Sequence, residues 1–264
     1  MRVQIQTVIE SLIAPVGRLD QTVDTLKFGH PDTEVTGIVT AFMPTQYVIE
    51  QAKARGANLI VAHEGAFFSH HDDTAFLHKD PIYEEKRQVL EASGIALFRF
   101  HDYYHRYKPD GVTEGLIQSL NWLSFVKEHH AASSVLHIPT ETVSGLVEHV
   151  KKCLDIPYVR VVGELGLECS KIGLLAGYRG GAQNVLPLFA KEQLDLVIYG
   201  EGPEWETPEY VRDAVYQGKH KALIVLGHAE SEEPGMKLLA DRLTSRYPDI
   251  PVHYIKERPI FQIG

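Results

Sequence analysis

Cysteine is scarce in these 264 residues: only Cys153 and Cys169 occur, with no CxxC spacing. A disulfide framework is excluded, and a reducing compartment is expected. No stretch approaches the roughly 18–20 consecutive apolar residues that a membrane-spanning helix needs. The opening residues, Met1-Arg2-Val3-Gln4-Ile5-Gln6-Thr7, carry no apolar h-region, so no signal peptide is expected and the protein is placed in the cytoplasm. There is no basic run, and 35 acidic residues against 26 basic ones leave a net charge of −9. Nucleic-acid binding is therefore not expected, nor is a membrane partner. Internal repeats and low-complexity tracts are also absent.

What remains is ordinary globular material, 44% hydrophobic and 23% charged, in a chain long enough to bury a full core. Its one excess is histidine, with 14 copies. Several are clustered: His70-His71, His101 with His105, and His129-His130.

Periodicity predicts a helix over 3–14, a strand over 35–42, a helix from Pro44 to Arg55 and a strand from Leu59 to His63. The last three form a βαβ unit with parallel strands. A helix from Pro81 to Ser93, a strand over 95–100 and a helix from Gly111 to Leu123 continue the alternation, which argues an α/β fold with a mostly parallel sheet. Residues 129–134 read as a linker into a second, smaller α/β domain over 129–200, inserted into a main domain of 1–128 and 201–264. In the returning segment Thr207 is expected to N-cap a helix, a strand over 221–227 ends at Gly227-His228, and Ser231 is expected to cap a helix over 232–245. The Gly177–Gly181 turn matches neither the Walker A nor the dinucleotide pattern and reads first as structural, with an anion site at the following helix N-terminus as the alternative.

Three strand ends carry metal-competent side chains, and in an open α/β sheet ligands collect at the C-terminal ends of the strands. The first is His63-Glu64, where Gly65 ends the strand. Adjacent residues on a regular strand would point to opposite faces, so only a strand that stops there can aim both at one site. The second is His101, Asp102 and His105, among which spacing does not choose. The third is His228 with Glu232, where Glu232 and Glu233 also suit a first helical turn electrostatically. Imidazole suits Zn, Fe, Ni or Mn, and a carboxylate can bridge two ions.

These motifs resemble the Nif-three-like family, also called GTP cyclohydrolase 1 type 2 homologues. The resemblance spans most of the chain and is clearest at Gly227-His228-Ala229-Glu230-Ser231-Glu232. It departs at two places. The family's His-His-Pro reads His63-Glu64-Gly65 here, and the His and bridging Asp that follow the third strand appear as His101 and His105. The carboxylate and the imidazole are thus exchanged between positions 64 and 105. A second register makes Asp102 the bridge. The resemblance implies two linked α/β domains, a toroidal homo-hexamer and two divalent ions per subunit (Zn, Fe or Mn). It implies His63, Glu64, His105 or Asp102, His228 and Glu232 as ligands. Glu230, Glu233 or His101 would then act as general base or outer-shell group. A metal-dependent hydrolase of a nucleotide or phosphoester-like small molecule is expected. A non-catalytic hexameric metal-binding scaffold is the alternative, and a protein whose His63 and His228 are merely satisfied polar residues is the third reading.

Overall fold

Three buried four-residue runs form the centre of the first sheet of the computed structural model, which describes residues 2–263. The strands are β1 (Leu26–Phe28), β2 (Ile38–Ala41), β3 (Leu59–Ala62), β4 (Ala96–Arg99) and β11 (Val252–Tyr254), in the order β1-β4-β3-β2-β11. The four strands from β4 to β11 run parallel, and β1 pairs antiparallel to β4 at the edge. Every residue of β2, β3 and β4 is buried, which is why these strands read as continuous apolar runs rather than alternating ones. β1 lies outside every strand expected from the sequence; three residues are too few for a periodic signal.

The connecting helices start and stop where their caps dictate. Helix α2 (Gln46–Ala54) begins at Thr45, whose side chain accepts the Val48 N–H. Helix α3 (Pro81–Ser93) begins at Asp80, which accepts from Ile82 and Tyr83, and ends at Gly94 with φ +68°. Helix α1 (Ile5–Ile13) buries Ile5, Val8, Ile9 and Leu12, the face its spacing predicts. Val39, Val48, Ile49, Ile60, Leu90 and Leu97 share one core cluster. Each such side chain contributes about 1.5–3 kcal/mol by leaving water.

Lys86 is the exception inside this layer. It is buried, its Nζ donates to Ala66 O, and it lies over the rings of Phe67 and Phe68. Burial pulls its pKa from 10.5 to about 8, against an opposing pull from Glu257. Because the folded value lies below the unfolded one, the unfolded chain holds more protons between them, and stability should rise with pH across that window. A melting series from pH 8 to 10 should show this rise in the wild type and a flatter profile in Lys86→Met; parallel profiles would refute it.

The second sheet has the order β5-β6-β8-β9-β10-β7. Its strands are β5 (Val126–His129), β6 (Ser134–Thr142), β7 (Arg160–Val162), β8 (Glu168–Leu175), β9 (Leu196–Tyr199) and β10 (Ala222–Val225). β8, β9 and β10 are parallel to one another, and the other pairings are antiparallel. Helices α6 (Val143–Leu154), α7 (Ala182–Glu192) and α8 (Thr207–Tyr216) accompany it, with Leu175, Val185, Phe189, Val197, Val211 and Leu223 in its core.

Contacts divide the chain into one unit of residues 1–111 and 236–264 and another of residues 112–235. This differs from the expected boundaries at 128/129 and 200/201. The returning strand β10 hydrogen-bonds to β9 and β7, so His228 follows a strand of the second sheet. The expected linker at 129–134 is instead a hairpin turn, closed by His130 N–H on Ser133 O at 2.8 Å. Two caps also shift. Thr207 is already helical and donates to Gly180 O, with Glu206 as the N-cap. Helix α9 (His228–Arg246) starts before Ser231, because Gly227 at φ +113° turns the chain into the helix directly. Among the described residues no helix is long and apolar enough to cross a membrane.

Candidate metal centre

In the first unit, β3 stops at His63, which is fully buried and still donates its backbone N–H to Ala41 O at 3.1 Å. The exit from β4 is pinned by Asp24. Its carboxylate accepts the backbone N–H groups of His101 (2.8 Å), Asp102 (3.1 Å) and Tyr103 (2.9 Å). These bonds launch the short helix α4 (Asp102–His105) immediately after the strand. His101 and His105 are then one turn apart and face the same way, with ring centroids 4.8 Å apart. Both lie against His63, at 4.7 and 4.9 Å between centroids. One ligand atom from each of the three lies within 4.8 Å of the others.

The tautomers follow from what each Nδ1 meets. His63 Nδ1–H donates to Phe100 O at 3.2 Å, His101 Nδ1–H to Asp102 Oδ1 at 3.0 Å, and His105 Nδ1–H to Asp110 Oδ2 at 3.0 Å. In a neutral ring so bonded, Nε2 is the lone-pair nitrogen, the arrangement of a ligating histidine braced from behind. Asp102 is one of the braces. Burial pushes its pKa up, but hydrogen bonds from His101, the Val23 N–H and Thr22 prevail and hold it at about 2. Its oxygens face His101 Nδ1 and Val23 N, whereas His105 is the residue gathered with His63 and His101. Removing a brace typically costs 10–100-fold in metal affinity. Asp110→Ala should therefore weaken zinc binding roughly tenfold, read by chelator competition, and wild-type affinity would contradict the assigned role.

Glu64 is mostly buried beside these rings, with Oε2 2.8 Å from Arg99 Nη2 and Oε1 3.8 Å from His101 Nε2. Glu64, His70 and His101 form a second close group. Sequence reasoning noted the His70-His71 pair without placing it, and it missed Asp24, Arg99 and Asp110. Only Arg99 left a signal: an arginine ending an apolar strand needs a buried partner.

The second unit holds the other pair. His228 Nδ1–H donates to Glu201 Oε1 at 2.9 Å, and its Nε2 lies 3.1 Å from Glu232 Oε2. Glu232 is 2% exposed. Gly177, at φ +68°, makes room for it, since a Cβ there would lie 2.0 Å from Glu232 Oε1. Glu201 was not among the candidates singled out from the sequence. Glu230 occupies the first turn of α9 and folds back over Gly227, where a Cβ would meet its Oε2 at 2.1 Å. Glu233 is buried one residue beyond Glu232.

Fold and side chains together define an α/β protein of two sheets whose strand ends present imidazoles braced by carboxylates and a carbonyl. The chain belongs to the Duf34/NIF3 (NGG1p interacting factor 3) family, whose model matches residues 3–259. It is 26% identical over 238 residues to a GTP cyclohydrolase 1 type 2 homolog of Clostridium perfringens, covering 87% of this chain and 86% of that one. A homolog of the same name from Chlamydia pneumoniae is 25% identical over 250 residues, covering 91% and 92%. In fold it is similar to Staphylococcus aureus protein SA1388, with TM-score 0.79, 18% identity and 99% of both chains covered. It is also similar to a Bacillus cereus protein related to NIF3, with TM-score 0.77, 15% identity and 100% and 99% covered.

Proposed function

We propose that the protein is a metal-dependent hydrolase of a nucleotide or phosphoester-like small molecule. It would hold divalent ions (Zn, Fe or Mn), two per chain, and assemble as a homo-hexamer. The observation that carries this reading is the Nδ1 pattern: in four histidines Nδ1 meets an acceptor (two aspartates, one glutamate and one carbonyl), which in neutral rings turns Nε2 to a ligand. His228 adds to it, because its Nε2 lies 3.1 Å from Glu232 Oε2, an imidazole and a carboxylate side by side as an ion shared between them would need.

His63, His101, His105 and Glu64 are the proposed ligands in the first unit, and His228 and Glu232 those in the second. Asp102 moves from candidate ligand to brace. A bound divalent ion would supply Lewis acidity to the scissile centre and a more acidic water. Glu230, in the first turn of α9, is the proposed proton acceptor for hydrolysis.

The test is to load purified, untagged protein with Zn, Mn or Fe, count ions per chain, and assay a pool of nucleotides and phosphoesters. Turnover that disappears in His63→Ala and in His228→Ala supports the reading. Turnover that survives both variants removes it. Tight metal without turnover on any substrate selects the non-catalytic scaffold instead.

A further inference from the structure

Arg99 ends β4 with 1% exposure, and its guanidinium reaches three places at once. Nη2 donates to Glu64 Oε2 at 2.8 Å, Nε donates to His63 O at 3.4 Å, and Nη1 donates to the backbone carbonyl of His70. Nη2 is also 3.1 Å from His70 Nδ1. A guanidinium stays protonated in a protein, so a buried one must be matched by a buried anion. Glu64 is that anion. Its other oxygen, Oε1, faces His101 Nε2 at 3.8 Å, beyond hydrogen-bonding range.

We propose that Arg99 is a positioning residue that clamps Oε2 of Glu64 and so presents Oε1 alone as the carboxylate's donor oxygen towards an ion shared with His101. The planar fork matters as much as the charge. It ties Glu64 to the backbone of the preceding His63 and to the His70 loop, so the carboxylate cannot rotate to offer both oxygens. The clamp also balances Glu64, so that the carboxylate and its arginine together add no net charge beside the imidazoles. This role rests on the proposed metal reading.

Infrared difference spectra of the zinc-loaded against the zinc-free full-length protein test it. The Glu64 carboxylate bands are identified by their loss in Glu64→Gln. In the wild type their antisymmetric–symmetric splitting should be wide, as for a carboxylate bound through one oxygen. Arg99→Met should narrow it, because the released Oε2 joins the ion. Arg99→Lys keeps the charge and loses the fork, so it should narrow the splitting in weaker form while preserving the fold. A splitting identical in the wild type and both Arg99 variants overturns the clamp, as does an unaltered spectrum in Glu64→Gln, and either result leaves the metal reading standing. Zinc analysis that finds no ion in the wild type removes the metal reading and the clamp with it.

Discussion

Protein carrying His63→Ala is expected to bind a divalent ion at least about 100-fold more weakly than the wild type, since even the loss of an outer-shell partner costs 10–100-fold. His63 stands against both His101 and His105, and its Nδ1 is committed to Phe100 O, so no neighbouring ring can supply its Nε2. The substitution has a structural cost as well. His63 is fully buried, and its loss leaves the Phe100 carbonyl without that donor, worth about 1–3 kcal/mol. Affinity measured by chelator competition therefore needs a parallel denaturation curve. A variant that melts earlier but binds zinc as the wild type does would show His63 to be a structural histidine.

The largest expected stability effect lies elsewhere, at Gly115 in α5 (Gly111–Ser119). A Cβ at Gly115 would lie 2.5 Å from Gly235 Cα and 2.6 Å from Pro234 O. Both are backbone atoms, which cannot swing aside as a side chain would. Gly235 is equally tight, with a Cβ there 2.7 Å from Val112 Cα. The two glycines let α5 approach the early turns of α9, which carry His228 and Glu232. Gly115→Ala should cost about 2–3 kcal/mol by overpacking, read from urea unfolding. Gly166, with nothing within 4 Å of its Cβ position, is the control, and Gly166→Ala should stay within about 0.5 kcal/mol of the wild type. Equal stability of the two variants would refute the close approach.

The sequence was informative where the cause was local. Leu59–Ala62 and Ala222–Val225 are apolar runs cut off by a polar residue or a glycine, and each forms a buried strand followed closely by His63 or His228. Pro81 at a helix start and Gly94 at its end mark α3, because proline lacks an N–H that the first turn does not need and glycine tolerates positive φ. Spacing did not choose among His101, Asp102 and His105, and one helical turn brings His101 and His105 together.

Partner choice was not legible. β10 looks the same in sequence whichever sheet it joins, and only its pairing with β9 and β7 assigns it to the second unit. Asp24 lies 77 residues from His101, whose N–H it receives, and no periodicity links the two. Glu64 read as an unusual metal ligand, yet its Oε2 is paired with an arginine 35 residues away. By itself, then, the sequence determined an α/β alternation, the strand ends that carry histidine, and a family resemblance. Tertiary structure alone decided which nitrogen each histidine presents, that Asp102 stands behind His101 while His105 joins the cluster, and that Glu64 is held by Arg99. Those choices depend on hydrogen-bond partners brought together from distant parts of the chain, and side-chain geometry of that kind leaves no trace in local spacing.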